Sequence, residues 1–460
     1  MQMLGERFAN FVKERPLSVM IRGMFESAFS PQRVDEIFEQ AALSQYTRDL
    51  RFSTVVNLMT KVVFDISPSV GAAYKAAKGT IGVSEVSVYS KLNGVEPRVA
   101  AAMVHDSVER FAEVVVEMNA RLEPMLAGYR VRIIDGNHFA ATEHRIKELR
   151  TVAAGPLPGK ALVVLDPQLK LATHVIPCED GHAQERSLLA VVGGLVNAGD
   201  LWLADRNFCT TGLLFGIADR GACFLIRQHG NLTGEALGDS VYVGRCETGE
   251  VYEQLLKLSD AQTGETMNVR RISVKLDKAT RDGDRELHLL SNVPESDASA
   301  VELAELYRKR WKIETLFQEL TTTLKCEIKA LGYPRAAILG FSLALVAYNA
   351  ISVVQAALRA THGRQKIEEG VSGYYINLEF RSTYDGMMIA IPEPHWAIFR
   401  TLGTRQMSSL LLELSKNVQL SKYPKSRRGP KKPRPEREDI GSPHVSTARL
   451  LAKRKQKPGN

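Results

Sequence analysis

The sequence predicts a mixed α/β core flanked by helical regions, and three observations carry that prediction. Residues 1 to about 125 follow a helical period with few strand-like alternations. From about residue 129 the pattern changes to short apolar runs at 130–134, 161–165, 171–176 and 201–204, parted by turn formers such as Gly155-Pro156-Leu157-Pro158-Gly159. From about 300 to about 361 the helical period returns. Strands clustered early and followed by crossover helices describe a mixed sheet rather than a bundle or a sandwich.

Along the first region, residues 82–92 read as a turn and a short helix capped by Ser84. A DNA-reading helix-turn-helix and an ordinary helical hairpin share that pattern. Between the third and fourth strands, 183–197 reads as a helix stopping near Gly199, and 223–227 adds a strand after a helix near 212–220. The stretch from about 229 to 293 is rich in Gly and Thr, with strand candidates at 240–246, 269–276 and 286–292. In Arg271-Ile272-Ser273-Val274-Lys275-Leu276 alternation gives one apolar and one basic face. Residues 336–358 carry no charge and are long enough to span a bilayer. With Ser342, Asn349, Ser352 and Gln355 among them and no second apolar segment, they are expected to form a buried core helix.

At 460 residues the chain can bury several cores. Its net charge of +8 is unevenly placed: residues 421–460 hold 13 Lys/Arg against 3 Asp/Glu, which leaves the remainder near neutrality. A neutral body with a cationic tail suits a polyanionic partner, because Lys and Arg neutralise phosphates and release counterions. Five scattered cysteines without a CxxC spacing argue against a zinc site or a disulfide framework and fit a reducing cytosol. The first sixteen residues lack an apolar core of the secretory kind, so a cytoplasmic location is expected.

Three carboxylates occupy settings suited to an acidic metal site. Asp135 ends the run Arg132-Ile133-Ile134-Asp135-Gly136-Asn137, and Asp205 ends Leu201-Trp202-Leu203-Ala204-Asp205. Glu314 falls on a predicted helix in Tyr307-Arg308-Lys309-Arg310-Trp311-Lys312-Ile313-Glu314. Oxygen donors from distant segments can converge on Mg²⁺ and leave positions open for phosphate oxygens. Tyr307, Arg310 and Glu314 are spaced i, i+3, i+7, so a phenol, a guanidinium and a carboxylate share one helix face. A solvated helix with an Arg310–Glu314 ion pair would show the same spacing.

These pieces together resemble the DDE transposases of bacterial insertion sequences, specifically insertion-sequence family four. Asp135-Gly136 is similar to that family's first strand end, Asp205-Arg206-Asn207-Phe208 to its second, and Arg310-Trp311-Lys312-Ile313-Glu314 to its Arg-Trp-x-Ile-Glu helix core. The likeness covers roughly residues 129 to 360, with room between Asp205 and Glu314 for the family's β-rich insertion. It implies a ribonuclease-H-like catalytic domain, with Asp135, Asp205 and Glu314 as catalytic and metal-binding residues. Tyr307 and Arg310 would contact DNA phosphate. The implied cofactor is Mg²⁺, with Mn²⁺ as a substitute. The implied activity is cleavage at transposon ends and 3′-hydroxyl strand transfer into target DNA, by a homodimer that binds both DNAs, without a membrane, in the bacterial nucleoid.

The family's signature lysine would fall at Thr321; Lys325, one turn further on the same predicted helix face, is the candidate substitute. The family's hairpin-forming members hold a flipped base on an aromatic from the insertion; this insertion has no Trp, and Tyr242 or Tyr252 would have to serve. His138, His144, His174 and His182 lie near the expected sheet without ligand spacing, and Asp166 and Asp180 are rival carboxylates in turn contexts.

The expected divisions are then 1–125, an N-terminal helical, DNA-binding domain; 126–228, the first part of the catalytic domain; 229–293, the insertion; and 294–361, the second, helical part of the catalytic domain. A helical C-terminal region making a dimer contact, 362–420, and a basic disordered tail, 421–460, complete the chain. Two other readings stay open: a metal-dependent nuclease of the same fold that cuts without joining, and a non-catalytic DNA-binding derivative.

Overall fold

A computed structural model describes residues 4–45, 47, 49–139, 146–152, 154–280, 283–328, 331–425 and 444–455. The first region is helical as expected, and its helix starts are written in sequence. Pro16, Pro31 and Pro97 each open a helix, where a missing N–H costs nothing. Ser30, Ser69 and Ser84 each accept a first-turn backbone N–H, so the predicted Ser84 cap of helix Glu85–Gly94 is present.

The strands are β1 (Arg130–His138), β2 (Pro156–Leu157), β3 (Lys160–Asp166), β4 (Leu171–Cys178), β5 (Asp200–Ala204) and β6 (Cys223–Arg227). Then follow β7 (Glu235–Ala236), β8 (Val241–Cys246), β9 (Gly249–Ser259), β10 (Thr266–Leu276), β11 (Glu286–Ser291) and β12 (Val445–Ser446). Ten of them form one sheet ordered β4-β3-β1-β5-β6-β11-β10-β9-β7, with β8 also on β9. The β1, β3 and β4 segments make an antiparallel meander, while β5 and β6 run parallel to β1. This mixed sheet is consistent with the ribonuclease-H-like domain that the resemblance implied, and it is extended at one side by the insertion, whose β11 pairs with β6.

Both faces of the central strands are covered, and alternation along each strand divides the side chains between two cores. Ile133 and Leu203 join the core built with helices Pro97–Glu117 and Pro334–His362, whereas Ile134 and Trp202 join the one under Leu189–Gly193 and Thr211–Ala218. Helix Pro334–His362 is long and apolar enough to cross a membrane by length and composition, yet 94% of its apolar window is buried within the protein. Its Asn349 is fully buried and closes the sheet edge: the carboxamide donates to Ala172 O at 2.9 Å and accepts from Ala172 N at 2.8 Å. A register shift between β3 and β4 falls at this point, so Asn349 satisfies backbone groups the ladder leaves over. N- and C-terminal helices share the first core, with Phe8 against Trp396 (5.0 Å between ring centres) and Phe64 against Phe380 (4.6 Å).

Three expectations need correction. The predicted helix over 183–197 shrinks to a 3₁₀ turn, Glu185–Leu188, and the short helix Leu189–Gly193. The long strand β9 was not anticipated, because its two ends bury opposite faces: Val251 enters the first core, Leu256 and Leu258 the second. Simple alternation is thereby broken. The tail is not wholly without structure. Among its described residues, β12 pairs in parallel with β2, helix Thr447–Lys455 follows, and Ser446 and Thr447 are buried.

Candidate active site

Strands β1 and β5 lie side by side and parallel, so Asp135, in the C-terminal half of β1, and Asp205, just past the end of β5, stand on neighbouring strands. Crevices beyond the carboxyl ends of parallel strands are where α/β sheets place their ligands. Asp135 is braced by Gly136 N, which donates to Oδ1 at 2.8 Å. Asp205 caps the 3₁₀ turn Arg206–Phe208, its Oδ1 accepting from Asn207 N at 2.8 Å.

The helix expected to carry Tyr307, Arg310 and Glu314 is three segments in sequence: helix Ala300–Arg308, a 3₁₀ turn Lys309–Trp311 and helix Lys312–Thr322. The capping box of Ser299 and Glu302 starts it. The three side chains still meet. Arg310 is buried; its Nη1 donates to Asp135 Oδ2 at 2.8 Å and its Nη2 to Glu314 Oε1 at 3.3 Å. The guanidinium also lies 5.9 Å from the Tyr307 ring and 5.6 Å from that of Trp311.

The electrostatics are those of carboxylates crowded in a half-dry crevice. Burial raises the Asp135 pKa, Arg310 opposes that rise, and Asp205 adds to it by repulsion. Glu314 is raised in the same way: burial first, relief from Arg310, then repulsion from Asp135 and Asp205. Burial would weaken the charge on Arg310, but Tyr307, Asp135, Asp205 and Glu314 outweigh it and hold the guanidinium protonated. Tyr307 is pushed up to about 12, chiefly by burial, and stays a neutral phenol.

The donor set fits a hard divalent cation, since all three groups offer carboxylate oxygens. In the described geometry, however, the Arg310 guanidinium stands between Asp135 and Glu314. Among the described residues no group of three or more His, Cys, Asp or Glu side chains is arranged to hold a metal ion. The carboxylates are thus assembled around an internal cation, Arg310, which pairs with both Asp135 and Glu314.

Lys325 is not on that helix face. The helix ends at Thr322, and Lys325 pairs with Asp65 while its backbone N–H bonds Val63 O at 2.8 Å. Asp166 is occupied by Arg132 at 2.6 Å and by two turn N–H groups, and Asp180 by Arg449 at 2.7 Å. His174 lies against His105, where burial drives its pKa down to about 4. Burial also lowers His138, with Lys160 and His182 adding to the shift. His144 lies outside the described residues.

One carboxylate was missed. Glu185, on the crossover into β5, accepts from Asn207 Nδ2 at 3.3 Å, and a Cβ added at Gly136 would sit 2.1 Å from its Oε1. Its pKa is raised by burial and then by Asp205. No spacing announces it; the only sequence signal is that Asp135 is followed by a residue without a side chain.

Residues 126–350 match the family model described as the transposase DDE domain. No curated protein sequence matches the chain. Among solved structures, a piggyBac transposase in a synaptic complex with hairpin DNA aligns at 11% identity and a TM-score of 0.42, covering 87% of this chain and 86% of that one. Asp135, Asp205, Tyr307, Arg310 and Glu314 all lie within the matched span. The match of residues 126–350 to a transposase DDE domain supports a DDE transposase acting on DNA.

Proposed function

We propose that this protein cleaves DNA at the ends of a bacterial insertion sequence of family four and joins the freed 3′-hydroxyl to target DNA. The observation that carries the reading is the bridging of Asp135 and Glu314 by one guanidinium beside Asp205, on the two parallel strands and the helix where such chemistry needs its acids. Domains of this family generally use divalent metal ions. Asp135, Asp205 and Glu314 are the residues that would hold Mg²⁺ or Mn²⁺, which would neutralise charge on the phosphoryl oxygens and favour deprotonation of the attacking hydroxyl. Arg310, freed from one carboxylate, is placed to grip a phosphate with its planar fork. Tyr307 keeps its proton and can donate to an adjoining oxygen. Gly136 N and Asn207 N hold Asp135 and Asp205 in their orientations.

The DNA partners are the transposon end and the target, and a homodimer would bring two ends together. Cations of the N-terminal helices and of the tail supply contacts to the backbone. The test uses purified protein, Mg²⁺ and a labelled fragment carrying the inverted repeats that flank its coding sequence. Products in which the 3′ end is covalently joined to unlabelled plasmid support transposition. Cleavage without joined product favours the nuclease, and binding with neither favours the non-catalytic derivative.

A further inference from the structure

Beside the carboxylates the structure has a second polar hollow, where β1 ends at His138 and β3 begins at Lys160. It is a cleft of about 420 Å³ whose walls include His138, Lys160, Glu185, Arg186, Asn207 and His229. That size lies within the range of about 300–1,000 Å³ typical of ligand sites. The lining is rich in donors: two permanent cations, two imidazoles and the Asn207 carboxamide stand against one carboxylate, Glu185. Among the described residues no carboxylate lies within ion-pairing distance of Lys160 or Arg186. Lys160 is buried and its ammonium donates to Ala183 O, with Glu185 near enough to feel its charge, while Arg186 is exposed. A donor-rich lining with two cations against one carboxylate suits an anion.

The hollow also shares a wall with the reacting groups. Asn207 gives its backbone N–H to Asp205 and its side-chain N–H to Glu185, and Glu185 covers Gly136, the residue after Asp135. The cleft is therefore linked to Asp205 through Asn207 and to Asp135 through Gly136.

We propose that this cleft is a nucleotide subsite: Lys160 and Arg186 take the phosphate next to the one being cut, while Asn207 and His229 face the sugar and base. The inference rests on the transposase reading above and adds to it a second anchoring point for the strand. Arg186 is a binding residue here, and Glu185 is a positioning residue that acts through Asn207.

The experiment is a binding cycle on the full chain. Wild type and Arg186→Ala are titrated by fluorescence anisotropy with the flanking inverted-repeat duplex. A second duplex carries a neutral methylphosphonate at the position adjoining the cleavage point. Wild-type strand joining is measured on the same unmodified fragment, and thermal melts confirm that the variant is folded. Loss of one phosphate contact lowers the slope of log affinity against log salt by about 0.9. The expected result is that fall for Arg186→Ala on the natural duplex, and no further loss when the methylphosphonate is combined with the variant. His229→Ala, a milder change in the same wall, is expected to weaken binding without altering the melt. If wild type joins DNA but Arg186→Ala keeps the full slope and the methylphosphonate weakens both proteins equally, the subsite is wrong and the transposase reading stands. If wild type neither binds nor joins, both fall.

Discussion

Arg310→Met would remove the guanidinium that bridges Asp135 and Glu314 while keeping most of the side chain's apolar volume. The Arg310 side chain is 9% exposed, its Asp135 partner 17% and its Glu314 partner 39%. Removing one member of a buried pair costs about 3–5 kcal/mol, because the other charge is left uncompensated. Glu314 is open enough for water to screen it, so most of the cost falls on Asp135, and about 3 kcal/mol is expected in EDTA at neutral pH. The loss should depend on pH. Asp135 and Glu314 already have raised pKa values, so the native state holds more protons than the unfolded chain just above the ordinary carboxylate range. Stability therefore falls as pH rises through that window. Without Arg310 the shift upward grows, and the variant should regain stability on acidification more steeply than wild type. Mg²⁺ should stabilise the variant more than wild type, since no internal cation competes for the carboxylates. Urea unfolding across pH, with and without Mg²⁺, measures all three effects. A variant with the wild-type midpoint and the wild-type pH profile in EDTA would refute the idea that Arg310 holds the acids together.

Other perturbations probe the scaffold. Lys325→Ala removes a partly exposed pair with Asp65, so a loss of at most about 1 kcal/mol is expected, with the salt slope of DNA binding unchanged; a drop in that slope would restore Lys325 as a phosphate contact. Asn349→Leu strips both bonds from Ala172 in a fully buried place and should cost about 2–4 kcal/mol in urea unfolding; a change under 1 kcal/mol would mean the bulge repairs itself. Ending the chain at residue 443 removes β12 and its helix, and hydrogen exchange should rise at Pro156–Leu157 and its flanks while the central sheet keeps its protection.

Asp135 and Asp205 were legible because each follows a short apolar run, as a parallel neighbour pair buried on both faces needs, although β1 runs on past Asp135 to His138. Glu314 was legible through its spacing from Tyr307 and Arg310, although the path between them tightens into a 3₁₀ turn. Lys325 was misplaced because the periodicity argument presumes an unbroken helix. Thr321 and Thr322 turn their hydroxyls back on Phe317 O and Gln318 O, at 2.5 and 2.8 Å, and the helix stops there. Glu185 reaches Asp205 only through the crossover's course in space, which no local pattern encodes. The docked end of the tail was hidden by its neighbours' Lys, Arg and Pro, although Val445 to Leu451 contains enough apolar and small residues to pair and pack.

The most direct measurement is Mg²⁺-dependent nicking and joining of the end fragment by Asp135→Ala, Asp205→Ala and Glu314→Ala, each checked for folding and for DNA binding. All three should bind the fragment and yield no cut or joined product above background. A variant of any one of the three that still cuts at the wild-type rate would contradict the assignment of these acids to a single catalytic site.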